Sequence, residues 1–124
     1  MATQKNPVTW FEIPVTDIVR AKNFYEYVLG YQLSFQELKG MKMAEFPMND
    51  GRGASGALVQ SIGYTPQHSG TVVYFSVDDI GNTMSRVQQK GGKQLIPKTS
   101  IGEYGYIAHF EDSEGNQVAL HSMH

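Results

Sequence analysis

Hydrophobic and polar residues alternate along residues 8–15, and this period of two predicts a β-strand with one buried face. One face carries Phe11, Ile13 and Val15, and the other carries Trp10, Glu12 and Pro14. The first set is uniformly apolar, so we expect it to face the core, and the second set then faces the other side of the sheet.

A longer period follows this strand and predicts an amphipathic helix, because apolar residues recur at intervals of three and four. Its apolar stripe consists of Ala21, Phe24, Tyr25, Val28 and Leu29. Asp17 stands where an N-cap is expected, and Gly30 stands where the chain must leave the helix. Three strand-like segments follow at residues 32–37, 41–47 and 56–62.

The second half of the chain repeats the first. Aligning residues 8–62 with residues 70–124, an offset of 62, gives twelve identical positions without a gap, where chance would give about three. These are Thr9/Thr71, Val15/Val77, Asp17/Asp79, Ile18/Ile80, Gly30/Gly92, Gln32/Gln94, Leu33/Leu95, Gly40/Gly102, Asp50/Asp112, Gly53/Gly115, Ala57/Ala119 and Leu58/Leu120. The second copy predicts a strand at 71–77, a helix capped by Asp79 and ended by Gly91 and Gly92, and strands at 93–96, 104–110 and 117–122.

The sequence therefore predicts an α+β fold of two tandem βαβββ modules, residues 8–62 and 70–124, within one domain spanning residues 1–124. In each module the helix must cover the apolar face of its sheet. The opposite faces are then expected to curve around a cleft. Its predicted lining is Trp10, Glu12, Ala57, Val59, Val72, Tyr74, Ala119 and His121.

Composition narrows the class of protein. The chain is 40% hydrophobic and 18% charged, which is typical of a soluble globular domain. A net charge of −2 gives no support to a nucleic-acid or membrane partner, and the lack of cysteine excludes disulfides and thiolate metal sites. The N-terminal residues 1–7 contain no apolar signal sequence, so we expect a cytoplasmic protein.

Several motifs give the chain a family resemblance. They are Ile13-Pro-Val-Thr-Asp17, Phe24-Tyr25, Val28-Leu29-Gly30, Val77-Asp-Asp-Ile80, Gly91-Gly92 and Phe110-Glu-Asp-Ser-Glu-Gly-Asn116. With these the chain resembles the vicinal oxygen chelate superfamily, which includes glyoxalase I, bleomycin-resistance proteins, extradiol dioxygenases and methylmalonyl-CoA epimerase. The resemblance implies paired modules, an active site in the cleft and a homodimer, but it does not select one function.

The sequence departs from that family at the metal ligands. Metal-using members place them seven residues before the helix-capping Asp and four residues after the turn glycine. These positions hold Trp10, Val72, Ala57 and Ala119, and none of these side chains can coordinate a divalent ion. We therefore expect no metal and no cofactor, and neither glyoxalase I nor extradiol dioxygenase activity.

Other cleft residues could support chemistry without a metal. Glu12 could act as a general base, with His121 or Tyr74 as the proton donor, on a small substrate. The same groups could instead form a polar contact that fixes the cleft or a dimer seam. The facing of His109 depends on a strand register that the sequence does not determine.

Aromatic and glycine-rich stretches add ligand-binding candidates. The side chains of Trp10, Tyr74, Tyr104 and Tyr106 could stack on a planar ligand, with core packing as the alternative for the last two. Gly51, Gly53 and Gly56 match G-x-G-x-x-G, but a strand rather than a helix follows, which excludes a dinucleotide site. Arg52 in that loop could contact an anionic ligand.

Three functions remain open at this point. The first is a metal-free protein that binds a small organic molecule in the cleft, as bleomycin-resistance proteins do. The second is a metal-independent lyase or isomerase that uses Glu12 and His121 as an acid–base pair. The third is a regulatory or interaction module with a vestigial pocket. The cleft could be completed within one chain or across a homodimer.

Overall fold

The computed structural model describes residues 6–124 and has the predicted α+β architecture, with two four-stranded mixed sheets and one helix in each module. The elements are β1 (Trp10–Pro14), α1 (Ile18–Leu29), β2 (Ser34–Leu38), β3 (Met41–Glu45), β4 (Ser55–Gln60), β5 (Tyr74–Ser76), α2 (Ile80–Gln89), β6 (Lys93–Ser100), β7 (Tyr106–Glu111) and β8 (Gln117–Ser122). A short 3-10 turn at Gly102–Tyr104 precedes β7. The prediction that residues 1–7 lack a signal sequence falls mostly outside the described residues.

The two sheets have the same topology, as the internal repeat predicts. Their strand orders are β1-β4-β3-β2 and β5-β8-β7-β6, and the first two strands of each sheet run parallel. Strand ends differ from the predicted ones by a few residues. The main corrections are that β5 begins at Tyr74, which leaves Val72 before the strand, and that β6 continues to Ser100.

Both helices begin and end where the sequence predicts. The side chain of Asp17 accepts a hydrogen bond from the N–H of Arg20, and that of Asp79 accepts one from Asn82, each at 3.0 Å. Gly30 has a φ of +80°, a left-handed conformation that glycine adopts without strain, and its N–H donates to the carbonyl of Glu26. The caps therefore satisfy backbone groups at the helix ends.

The apolar sides of the two sheets share one core. Tyr25 of α1 is fully buried, and its ring centroid lies 5.9 Å from that of Phe46 and 6.0 Å from that of Phe75 in the second module. Phe11 of β1 packs edge-on against Phe75 at 5.7 Å. Ile13 and its neighbours on the predicted inner face are buried in the same cluster, so each module stabilises the other.

A carboxylate in the β7–β8 turn of the second module holds the start of α1. The wholly buried side chain of Glu114 accepts hydrogen bonds from the N–H groups of Thr16 and Asp17 at 2.9 Å, and from the guanidinium of Arg20 at 2.6 Å. Burial by itself raises the pKa of Glu114, but these donors outweigh it and lower the pKa to about 2. Glu114 is therefore ionised in the folded protein and joins the two modules.

A second carboxylate of the same turn lies deeper. Asp112 is 3% exposed and accepts hydrogen bonds from the hydroxyl of Tyr25 at 2.6 Å and from the N–H of Asn116 at 2.9 Å. The side-chain amide of Asn116 donates to Asp112 at 3.1 Å and to the carbonyl of Pro14 at 2.7 Å. Burial raises the pKa of Asp112 in spite of these donors. The network fixes the end of β1 relative to the start of β8, where residues of both modules lie side by side.

Candidate functional site

Strand pairing places most of the predicted cleft residues on the side of each sheet that faces away from the helices, which we call the cleft face. Glu12 pairs with Ala57 in the first sheet, and Pro14 pairs with Val59. In the second sheet Tyr74 pairs with Ala119, and Ser76 pairs with His121. Directly paired residues share a face, whereas Ile13 pairs with Leu58 on the side of the core.

Small buried residues form the floor of both cleft faces. Ala57, Val59 and Ala119 have no exposed surface, and they lie outside the core cluster that the helices cover. A ligand would therefore meet the larger side chains around them rather than these three residues. Val72 is half-buried and lies in the segment before β5. Of the other candidates, Glu12 and Tyr74 are exposed, and Trp10 and His121 are half-buried.

The carboxylate of Glu12 has a partner on each oxygen. The hydroxyl of Tyr64 donates to Oε1 at 2.8 Å, and the indole N–H of Trp10 lies 3.4 Å from Oε2. The bond to Glu12 raises the pKa of the Tyr64 phenol. Tyr64 belongs to the connection between the modules. No pattern in the sequence predicts this contact, because a residue outside any periodic segment gives no signal of the sheet face it contacts.

The internal repeat changes its offset at β3 and β7, and this determines the register of His109. Ala44 pairs with Leu58, and Ala108 pairs with Leu120, so these two fully buried alanines are equivalent at an offset of 64 rather than 62. The chain from Ala44 to Leu58 is therefore two residues longer than the chain from Ala108 to Leu120. His109 consequently pairs with Ala119 on the cleft face, and its counterpart in the first sheet is Glu45.

His109 lies between two polar partners on the cleft face. Its Nε2 is 3.0 Å from the hydroxyl of Tyr74, and its Nδ1 is 2.9 Å from the side-chain amide nitrogen of Gln117. His109 is 8% exposed, and burial lowers the pKa of its imidazole. Tyr74 remains half exposed above it. Neither His109 nor Gln117 was a candidate from sequence.

The structure gives the three predicted acid–base residues separate partners. His121 contacts the carbonyl of Tyr104 through Nε2 at 2.6 Å, Glu12 contacts Tyr64 and Trp10, and Tyr74 contacts His109. No hydrogen bond joins Glu12, Tyr74 and His121 to one another among residues 6–124. Their catalytic roles stay a prediction.

Two of the aromatic candidates differ in position. Tyr106 lies on the core side of β7, where it packs against the core, so it belongs to the packing alternative. Tyr104 lies in the 3-10 turn and is 68% exposed.

Arg52 is exposed in the β3–β4 connection, and Gly56 is part of β4, so a strand follows the glycine-rich motif as predicted.

Two cavities border these elements. One, of about 220 Å³, lies between the modules and is lined by Glu12, Pro14, Thr71, Val73 and Gln117 among others. Its lining thus includes residues of both modules and of the segment that connects them. A larger one, of about 330 Å³, lies at the start of α2 beside Asp79 and Arg86 and contacts none of the predicted site residues.

The residues present do not fit a divalent metal ion of the kind some relatives use. Trp10 offers only a donor N–H, and Ala57, Val72 and Ala119 offer no coordinating atom at all. In the described part of the chain, no three side chains of His, Asp or Glu come close enough together to hold a metal ion.

No helix among residues 6–124 has the length and apolarity needed to cross a membrane.

Comparison with known sequences gives two matches. The profile described as Glyoxalase/Bleomycin resistance protein/Dioxygenase superfamily matches residues 8–120. A glyoxylase-like domain-containing protein from Didymella fabae is 31% identical over 117 residues, which cover 91% of each chain.

Solved structures share the fold. A glyoxalase I variant from Zea mays superposes with a TM-score of 0.71 at 22% identity, over 94% of this chain and 46% of that one, so this chain spans about half the length of the maize protein. An antibiotic binding protein from a Streptomyces species superposes with a TM-score of 0.65 at 22% identity, over 98% of each chain. At these identities the likeness extends to the fold alone.

Proposed function

Because the chain belongs to the glyoxalase/bleomycin resistance protein/dioxygenase superfamily, we propose that it binds a small organic molecule on its cleft faces without a divalent metal ion. One observation carries the proposal. The positions at which metal-using relatives place their ligands hold an indole and three aliphatic side chains, two of which are completely buried. None of the four can coordinate a metal ion, and the half-buried Trp10 offers aromatic surface to an organic molecule.

The exposed cleft residues favour a planar ligand with a polar substituent. Trp10 and Tyr74 offer aromatic surface, and both carry polar atoms that are already oriented by neighbours. Glu12 adds a carboxylate fixed by Tyr64. A flat, partly apolar molecule would gain contact with the rings, and its polar group would decide its orientation.

The comparisons support binding, and they leave the ligand to be identified. The Streptomyces protein of similar size is described as antibiotic binding, and it has the same fold over 98% of both chains. We extend this by proposing that the ligand of the present chain is also a small organic molecule, and that the protein is a cytoplasmic homodimer. Nucleic acid and membranes are not proposed as partners, since the net charge is only −2.

The acid–base alternative has weaker support. A lyase or isomerase using Glu12 and His121 needs both groups on one substrate, whereas the two residues lie in different sheets and each has its own hydrogen-bond partner. Both oxygens of Glu12 already accept hydrogen bonds, which disfavours its use as a base. These contacts favour binding over turnover.

Replacement of Trp10 tests the proposal. In a panel of planar aromatic compounds that includes 2-acetylnaphthalene, we expect binding to wild type by isothermal titration calorimetry, and a dissociation constant roughly tenfold larger for Trp10→Ala. The matched control is Tyr31→Ala, since Tyr31 is an exposed aromatic residue outside the cleft faces and should leave affinity unchanged. Equal affinity of wild type and Trp10→Ala, or no binding by any compound, would contradict the proposal.

A further inference from the structure

Tyr74, His109 and Gln117 form a chain of hydrogen bonds whose direction can be worked out. The side-chain amide nitrogen of Gln117 can donate a hydrogen bond but cannot accept one. It therefore donates to Nδ1 of His109 across 2.9 Å. Nδ1 is then the unprotonated nitrogen of the ring. A neutral imidazole with an unprotonated Nδ1 carries its hydrogen on Nε2, and Nε2 faces the oxygen of Tyr74 at 3.0 Å.

The neutral form of His109 is favoured by its surroundings. Its side chain is 8% exposed, and burial lowers its pKa. The closest carboxylate along the same strand is Glu111, which is engaged by His68 at 3.1 Å and lies 3.9 Å from the Lys93 ammonium. His109 therefore donates through Nε2, and the oxygen of Tyr74 accepts.

The hydroxyl hydrogen of Tyr74 is consequently left unused by the chain of bonds. The Tyr74 side chain is 51% exposed, so this hydrogen is available on the cleft face. The phenol ring stands edge-on to the imidazole, with 5.4 Å between ring centroids and an interplanar angle of 89°. That contact, together with the hydrogen bond, limits the rotation of the ring and fixes the position of the oxygen.

The first sheet has the opposite polarity at the equivalent positions. Glu12 corresponds to Tyr74, and Glu45 corresponds to His109, and both are carboxylates. Glu45 accepts a hydrogen bond from Gln36 at 2.7 Å. A ligand oxygen that needs a donor is repelled by these carboxylates and attracted by the Tyr74 hydroxyl.

We propose that Tyr74 is a specificity-determining residue that donates its hydroxyl hydrogen to an acceptor oxygen of the ligand, such as a ketone or carboxylate oxygen, with His109 and Gln117 as positioning residues. This inference rests on the proposed function, because it concerns a ligand bound on the cleft face. The ligand is then a planar molecule that bears an acceptor oxygen.

The first test measures the direction of the bonds without a ligand. In ¹⁵N NMR of histidine-labelled protein at pH 8, we expect His109 to be protonated at Nε2 and unprotonated at Nδ1. In Gln117→Glu the new carboxylate accepts a hydrogen bond from Nδ1, so the proton of His109 moves from Nε2 to Nδ1. The ¹⁵N chemical shifts of the two ring nitrogens should then interchange. A wild-type His109 that carries its proton on Nδ1 would overturn the inference.

The second test compares two probes that differ only in the acceptor oxygen, 2-acetylnaphthalene and 2-ethylnaphthalene. We expect wild type to prefer the ketone about fivefold, from one neutral hydrogen bond. Tyr74→Phe should lose the preference, Gln117→Glu should lose it at pH 8 with the phenol still present, and the control Tyr104→Phe should keep it. Tyr104 is a suitable control because it is exposed and its contact to His121 uses the backbone carbonyl.

The outcomes separate this inference from the proposed function. Equal binding of the two probes by wild type, or a preference that survives in Tyr74→Phe, overturns the role of Tyr74 and leaves small-molecule binding intact. Failure of both naphthalenes to bind overturns the role of Tyr74 in recognising planar ketones, and failure of the whole panel overturns the proposed function as well. Loss of the preference for the ketone in both Tyr74→Phe and Gln117→Glu supports the role of Tyr74 as the donor.

Discussion

Asp112→Ala is expected to lower the free energy of unfolding by about 4 kcal/mol. The substitution leaves the hydroxyl of Tyr25 without its buried acceptor and the side-chain amide of Asn116 with the carbonyl of Pro14 alone. It also removes the carboxylate that receives the backbone N–H groups of Glu114 and Asn116 at 2.8 and 2.9 Å. Urea unfolding followed by circular dichroism measures the loss.

The repeat supplies a matched control for this substitution. Asp50 is the counterpart of Asp112 at the offset of 62, but it is exposed in the β3–β4 connection. Asp50→Ala should therefore change the free energy of unfolding by less than about 0.5 kcal/mol. A loss below about 1 kcal/mol for Asp112→Ala would show that the turn does not hold the modules together in the way we describe.

Gly56→Ala is the second substitution with a large expected effect, a loss of about 3 kcal/mol. Gly56 lies in β4 directly beside β1, and a Cβ at this position would stand 2.2 Å from the carbonyl oxygen of Phe11 and 2.7 Å from its ring. The backbone oxygen cannot move without separating β1 from β4, so the clash must be relieved by displacing the strand that carries Trp10 and Glu12.

The control comes from the same glycine-rich motif. A Cβ at Gly51 meets nothing within 4 Å, so Gly51→Ala should leave stability unchanged. Thermal unfolding of the two variants side by side distinguishes close strand packing from a general sensitivity of the loop. Equal melting temperatures for Gly56→Ala and wild type would contradict the packing of β1 on β4.

Much of the fold could be predicted from sequence, because its determinants are local. The alternation in β1 determines which residues face the core, and capping residues such as Asp17 and Gly30 determine where α1 begins and ends. Because the second module repeats the first, the same patterns predict its strands and its helix. Seven of the eight predicted cleft residues, all but Val72, needed only strand parity and a constant offset to be placed on their face.

The polar partners of the site could not be predicted, because they depend on chain connections. The β3–β4 connection is longer than the β7–β8 connection, so β3 and β7 correspond at an offset of 64, whereas β4 and β8 correspond at 62. This register brings His109 beside Tyr74. Tyr64 reaches Glu12 from the segment between the modules, which has no periodic pattern. The separation of His121 from Glu12 likewise depends on how the two sheets meet, which strand parity does not describe.

The most direct test of the account is the metal content and metal affinity of the purified protein. Protein prepared without chelator should contain far less than one equivalent of any transition metal, and titration with Ni²⁺, Zn²⁺ or Fe²⁺ should give no saturable binding, because the residues at the ligand positions cannot coordinate. Tight binding of one ion per chain, abolished by Glu12→Gln or by replacement of His121, would contradict the central claim that the cleft faces bind an organic molecule without a metal.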